Sequence, residues 1–253
     1  MSTDRLLSTL AEGILTLTLN RPDKRNAIDT PMVEALLAAL ERANLDVDVR
    51  VVAVRGAGKD FCAGADLAEL LESVERTAEE NAASAARLGE VFLRMRRLPK
   101  PVVAVVSGRA LAGGCGLAGA CDLVLAHADA TFGYPEIRRG FMPAMVMTML
   151  RRATTEKVAF DLVATGRLLS AEEAARVGLV ARVFAAHEFE QAVAGFLASL
   201  ATSSASALAL IKRQLYELDG RSFEDGIRLG AEVNAVARGT PDFRDAVTAF
   251  LKK

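Results

Sequence analysis

Two adjacent glycines, Gly113 and Gly114, open a run of small residues that continues through Cys121. The run has the composition of a short buried helix packed tightly against its neighbours. A glycine pair at a helix start leaves backbone N–H groups unpaired and unshielded by side chains. With the helix dipole behind them, such donors hold negative charge, permanent or transient. The chemistry on offer is stabilisation of an anion, and the rest of the chain has to say which one.

Other residues invite chemistry and fail on context. Gly114-Cys-Gly116-Leu-Ala-Gly119 has the spacing of a dinucleotide fingerprint. The apolar run before it ends near Val106, several residues too early, and the helix is too short for a βαβ crossover. Gly58-Lys59 resembles the end of a phosphate loop, but Asp60 stands where Ser or Thr is needed and Ala53 where the first glycine belongs. Ser107 and His127 could form a nucleophile and base, yet no Gly-x-Ser-x-Gly surrounds the serine and the histidine lies in an apolar strand region. A structural histidine is the simpler reading. His127 and His187 are the only two histidines, too few for a histidine-rich centre, and no metal is expected. Cys62, Cys115 and Cys121 sit among apolar or small residues and read as reduced, buried thiols.

The elements that must position the glycine pair follow from periodicity. Residues 102–106 form a β-branched run that reads as a buried strand, broken by Ser107-Gly108. Upstream, residues 13–20 alternate apolar residues with threonine and read as a strand. Thr30-Pro31 predicts an N-cap with proline at the first helical position, and Val33, Leu36, Leu37 and Leu40 give the stripe of an amphipathic helix. Residues 49–55 read as a second strand, 56–66 as a glycine-rich loop, and a helix rich in Ala, Leu and Glu follows. The Ala/Glu/Ser-rich residues 75–85 are the expected mobile segment. Leu88, Val91, Phe92, Met95 and Leu98 form another helical stripe, stopped by Pro99-Lys100-Pro101. Residues 123–126 read as a short strand and 131–146 as a loop leading into a helix.

Ser170-Ala-Glu-Glu173 has capping-box spacing before a helix ending at Gly178, and 179–184 reads as the last strand. Everything after about residue 188 is helical, with Thr240-Pro241 starting the final segment through Phe250. Strand–helix alternation followed by helices predicts an α/β core over 1–187 and a helical region over 188–253.

Composition sets the frame. With 253 residues, 51% hydrophobic and 25% charged, the chain is a globular protein with a large core. A net charge of −1 offers no field for nucleic acid or an anionic membrane surface. The N-terminal MSTDRLLSTL lacks the pattern of a signal peptide, and apolar stretches stop short of the roughly 18 residues of a membrane span. A cytoplasmic location is expected.

The stretches FCAGADL (61–67) and GGCGLAGACDL (113–123), followed by FGYPEI (132–137), resemble the crotonase, or enoyl-CoA hydratase/isomerase, family. The similarity runs from NRPDKRNAI near the start to TAFLKK at the end. It implies a ββα spiral core and a helical C-terminal region that builds trimers, usually paired into hexamers. It also implies acyl-CoA thioester substrates, with CoA part of the substrate and no separate cofactor. The family's shared step puts negative charge on the thioester carbonyl oxygen, and two backbone N–H groups stabilise it. By match to the motifs these belong to Ala65 and Gly113. The family's Pro-Glu motif supplies Glu136 as the acid–base group, on a loop closed by Pro135. Lys24, Arg25 and Ala27 match the CoA-contacting loop, with Ala63, Asp66, Leu67 and Gly114 beside the thioester arm. Phe250 and Lys253 match residues that reach a neighbouring subunit's CoA. Asp66 equally fits a helix cap. Met142, Met145, Met147 and Met149 fit either core or acyl pocket. Arg138 or Arg139 could pair with a substrate carboxylate.

One position departs from the family. Typical hydratases carry a glutamate directly after Gly-Gly-Cys; here it is Gly116, and Gly119 one turn on offers no replacement. A single carboxylate suffices for a Δ3–Δ2 isomerase, which moves one proton from C2 to C4. It also suffices for hydration if one water supplies both hydroxyl and proton. Gly-Cys-Gly-Leu with PEIRRGFMPAMV is similar to a branch acting on branched or carboxylated enoyl-CoAs such as 3-methylglutaconyl-CoA, which lacks the first glutamate and hydrates. The resemblance therefore implies a hydratase first, an isomerase second and a non-catalytic acyl-CoA-binding protein third. Glu69 or Glu72 could supply a second acid.

Overall fold

A computed structural model of the chain describes residues 4–252. It begins with a hairpin of β1 (Leu6–Ala11) and β2 (Ile14–Leu19), antiparallel with Ala11 opposite Ile14. The two turn residues, Glu12 and Gly13, have φ of 50° and 76°. Such a turn is usually announced by Asn-Gly or Asp-Gly, so Glu-Gly leaves β1 unmarked in the sequence. A 3-10 turn (Pro22–Lys24) leads to α1 (Thr30–Leu45) and then β3 (Val51–Gly56). The cap of α1 is Asp29 and not Thr30: its carboxylate accepts the Met32 N–H at 3.0 Å.

Next come α2 (Leu67–Glu72) and α3 (Ala78–Arg97). Thr77 and Glu80 form a reciprocal capping box at the start of α3. The expected mobile stretch 75–85 is therefore largely the opening turns of a capped helix. The chain continues through β4 (Val102–Val106), β5 (Arg109–Leu111), α4 (Gly113–Ala120), β6 (Leu123–His127) and β7 (Thr131–Gly133). A 3-10 turn (Pro135–Arg139) precedes α5 (Val146–Ala153), α6 (Glu156–Thr165), β8 (Leu168–Ser170), α7 (Ala171–Arg176) and β9 (Arg182–Phe184). The Ser170–Glu173 box forms as the spacing predicts. Four helices finish the chain: α8 (Phe189–Ala201), α9 (Ala205–Glu217), α10 (Phe223–Arg238) and α11 (Pro241–Leu251).

The large sheet runs β1-β2-β3-β4-β6-β9, parallel from β2 onward, and the small one runs β5-β7-β8. Cys62 bridges Ala110, which adds a rung beside β5. Each circuit thus gives one strand to the large sheet and a short piece to the small one before its helix. The pairs are β3 with Cys62, β4 with β5, and β6 with β7. This is the ββα spiral.

Both faces of the large sheet are buried. Val52, Val54, Val102, Ala104 and Val106 join the main core with α1, α3 and α4. Val51, Ala53, Val103, Val105 and Leu125 face the other way, onto Phe189, Val193 and Leu197 of α8. Double burial explains why β3 and β4 read as unbroken apolar runs. Behind α4, Lys212 of α9 enters the body of the protein at 7% exposure. Its Nζ donates to Asp122 Oδ2 at 2.7 Å and to the carbonyls of Met95 and Lys100 at 2.8 and 2.9 Å. The Tyr216 hydroxyl donates to the other Asp122 oxygen, and Arg96 stacks 3.7 Å over the Tyr216 ring. Among the described residues no single helix is long and apolar enough to cross a membrane.

Candidate active site

The segment after β3 is held from both sides. Ala63 N–H donates to Arg25 O at 2.9 Å, Ile28 N–H to Gly64 O at 2.8 Å, and Asp66 N–H to Ile28 O at 2.8 Å. On the other flank Cys62 N–H donates to Arg109 O at 3.0 Å and Leu111 N–H to Cys62 O at 2.9 Å. The Ala65 N–H is left out of this ladder, and so is the Gly113 N–H at the start of α4. Among the described residues neither donates to a backbone acceptor.

Local backbone brings these two donors together. Ala112 has φ 54° and ψ −128°, a region that non-glycine residues rarely occupy. It is clamped there, its N–H on Gly133 O at 2.8 Å and its carbonyl accepting Gly116 N–H at 3.0 Å. Gly64 has φ 100°, and a β-carbon on it would stand 2.8 Å from the Ala112 β-carbon and 3.2 Å from Gly113 N. A β-carbon on Gly113 would lie 3.6 Å from Ala65 N. The two free N–H groups are therefore neighbours. Gly114 serves packing, since a β-carbon there would meet the Cys62 carbonyl at 2.3 Å.

Glu136 lies in the 3-10 turn that follows β7, which Gly140 closes at φ 68°. Its Oε2 is buried and accepts no hydrogen bond. Burial pushes the carboxyl above its ordinary range, against a lowering influence from its own backbone and from Arg139. Two residues earlier, Tyr134 is 1% exposed, and its hydroxyl is also buried without a partner. Burial lifts that phenol far above its usual value, and the adjoining Cys115 thiol and the Glu136 charge add to the effect. Cys115, in the first turn of α4, is pushed up to about 11 by burial, against a lowering influence from the adjoining Tyr134 hydroxyl and the Gly133 backbone, and also feels Glu136. Glu136, Tyr134 and Cys115 thus gather beside the helix start that bears the free Gly113 N–H.

Space at position 116 is filled. A β-carbon on Gly116 would lie 2.0 Å from Val146 Cγ1 and 2.7 Å from Val146 Cβ, so α5 lies where a side chain would project. A β-carbon on Gly119 would meet Met149 Cβ at 3.5 Å. Met145 and Met149 pack on the core, whereas Met142 is 52% exposed. Glu69 is engaged at the start of α1, where its carboxylate accepts the Thr30 N–H at 3.0 and 3.1 Å and the Thr30 hydroxyl at 3.0 Å. Glu72 is exposed.

The remaining predicted residues divide. Lys24, Arg25 and Ala27 adjoin Ala63 through the Arg25 carbonyl. Asp66 caps α2 by accepting Ala68 N–H at 2.9 Å and pairs with Arg21 at 2.8 Å. Those two contacts, in that order, hold its carboxyl below the usual range, so the cap that the sequence allowed is formed. Leu67 is exposed beside it, and Phe250 stands 77% exposed on α11. Lys253 lies outside the described residues. Arg138 rests on Gly166, and Arg139 is the arginine that Glu136 feels. His127 packs edge-on against Phe189 at 5.2 Å and accepts the Asp129 N–H at 3.1 Å, a structural role. All three cysteines are free and buried, as their surroundings predict. Tyr134 was not singled out from the sequence. Its one signal is a polar aromatic directly before the Pro135-Glu136 pair.

The enoyl-CoA hydratase/isomerase family profile matches residues 9–253. Over 235 residues, 93% of each chain, the sequence is 43% identical to a Thermus thermophilus protein provisionally named an enoyl-CoA hydratase. It is 32% identical over 249 residues to the 2,3-dehydroadipyl-CoA hydratase of Escherichia coli, covering 98% of this chain and 96% of that one. The fold superposes on a crystal structure of enoyl-CoA hydratase from Mycobacterium smegmatis with a TM-score of 0.94. That match has 34% identity and covers 98% of this chain and 96% of the other. The chain belongs to the enoyl-CoA hydratase/isomerase family.

Proposed function

We propose that the protein hydrates the 2,3 double bond of a 2-enoyl-CoA, with branched and carboxylated acyl groups among the candidate substrates. The observation that carries this reading is the buried Glu136 Oε2, which accepts no hydrogen bond, together with the adjoining free N–H groups of Ala65 and Gly113. The thioester carbonyl accepts from Ala65 and Gly113, so charge that develops on its oxygen meets two fixed donors and the α4 dipole. Glu136 holds a water and takes its proton as the hydroxyl adds to C3. It then returns that proton to C2, collapsing the enolate to the saturated thioester. A carboxyl raised by burial suits a group that must both accept and donate.

Lys24, Arg25, Ala27, Ala63 and Leu67 contact the CoA portion, and Phe250 and Lys253 reach the CoA of a neighbouring subunit. The working assembly is a homotrimer or a pair of trimers, in the cytoplasm. A second reading, Δ3–Δ2 isomerisation, is favoured by Val146 standing where a second carboxylate would project. There Glu136 alone takes a proton from C2 and returns it at C4.

The test is the ultraviolet absorbance of the conjugated enoyl thioester, with wild type and Glu136→Gln in parallel. Substrates are 2-enoyl-CoAs, including 3-methylglutaconyl-CoA, and separately a 3-enoyl-CoA. A fall on a 2-enoyl substrate supports hydration. A rise on the 3-enoyl substrate alone makes the protein an isomerase. Undiminished activity in the Gln variant removes Glu136 from its role.

A further inference from the structure

Two buried polar atoms, Tyr134 Oη and Glu136 Oε2, lack hydrogen-bond partners in the folded chain, and they belong to residues two apart. A buried acceptor or donor left unmatched is costly, and natural proteins match nearly all of them, often through an ordered water. The position that would ordinarily present a second carboxylate here is blocked by Val146. We propose that Tyr134 is a positioning residue for Glu136, its hydroxyl donating to a water that in turn donates to Oε2 of the carboxylate. The arrangement fixes the carboxylate rotamer with one donor chain from Tyr134. It rests on the proposed role of Glu136, but its test does not depend on turnover.

Few other groups reach this pair. Arg139 on the same turn and Cys115 on α4 are the titratable neighbours that Glu136 interacts with. Arg138 turns onto Gly166. On α6, packed against the turn, Asp161 is held by Arg167 at 2.6 Å.

A hydrogen bond to the ionised form favours that form, so losing Tyr134's donor should raise the Glu136 titration. The experiment is infrared difference titration of the carboxyl stretch in ligand-free protein, with Glu136→Gln subtracted to assign the band. Tyr134→Phe should shift the midpoint up by about one pH unit. An unchanged or lowered midpoint overturns the proposal, whatever the enzyme turns over. Raised titration without activity on any enoyl-CoA keeps the proposal and sinks the functional reading instead.

Tyr134→Phe keeps the buried ring and removes only the hydroxyl, so the variant should fold. If that variant does not fold, tyrosine emission of the wild type decides. The chain has two tyrosines and no tryptophan, so this emission is readable. It should rise as pH falls through the Glu136 titration and stay flat in Glu136→Gln. A flat wild-type trace overturns the proposal.

Discussion

Gly64 and Ala112 pack back to back, so closely that a β-carbon on Gly64 would stand 2.8 Å from the one on Ala112. That contact sets the separation of the Ala65 and Gly113 N–H groups. Gly64→Ala adds the clash and strains a φ of 100°. It should separate the donors and lower kcat/KM by on the order of 10²–10³, the typical effect of losing one oxyanion donor. Steady-state kinetics beside a thermal melt check this; unimpaired kcat/KM in a folded variant contradicts it.

Glu136→Gln should trade activity for stability. Loss of a positioned acid–base group costs roughly 10²–10⁴ in rate. Burial raises the Glu136 carboxyl from 4.5, so the folded chain keeps this proton to higher pH than the unfolded chain does. The residue's contribution to stability is thus most favourable below the unfolded value and declines as pH rises through the folded one. The Gln variant should melt close to wild type at acid pH and above it at neutral pH. Calorimetry at the two pH values reads the difference.

Gly116→Glu should not create a working two-carboxylate site. The new side chain begins 2.0 Å from Val146 Cγ1. Overpacking of this kind costs about 1–3 kcal/mol. Val146→Gly leaves only the Val146 Cα, 3.7 Å from the new β-carbon. The double variant should therefore be more stable than the sum of the single changes predicts, with a coupling of about 0.5–3 kcal/mol in urea unfolding.

Lys212→Ala should loosen α9. It leaves the half-buried Asp122 with the Tyr216 hydroxyl and the Val102 N–H but without its cation, so the cost falls below the roughly 3–5 kcal/mol of breaking a fully buried pair from one side. Faster amide exchange across 205–217, along with a lower denaturation midpoint, is the expected result.

The thiols should be silent in the native state. Burial pushes Cys62 up to about 12 and Cys115 up to about 11, and raises Cys121 as well. Thiolate is the reactive form. A disulfide reagent at mildly alkaline pH should titrate the three thiols only after denaturant is added.

The long apolar strands, the glycine opening of α4 and the capping box at Ser170 were legible in the sequence because each is a local pattern. β5, β7 and β8 were not, since three residues show no period and these strands exist only through their partners. The cap at Asp29 was misplaced by one residue because Thr30-Pro31 carries the same local signal. Thr77-x-x-Glu80 was a readable capping box hidden under a composition that resembles a loop. At the site, the absence of a side chain at Gly116 was plain. Val146, thirty residues away, shows its part only when α5 lies against α4. The same holds for Tyr134, whose lack of a partner is a fact of three dimensions.

The Gly116–Val146 contact also has an evolutionary reading. Acquiring a glutamate at 116 alone produces a collision, and trimming Val146 alone opens a hole, so each first step is disfavoured. A chain carrying this pair reaches a paired-glutamate site only by changing positions 116 and 146 together, so single substitutions explore the residues around Glu136 instead.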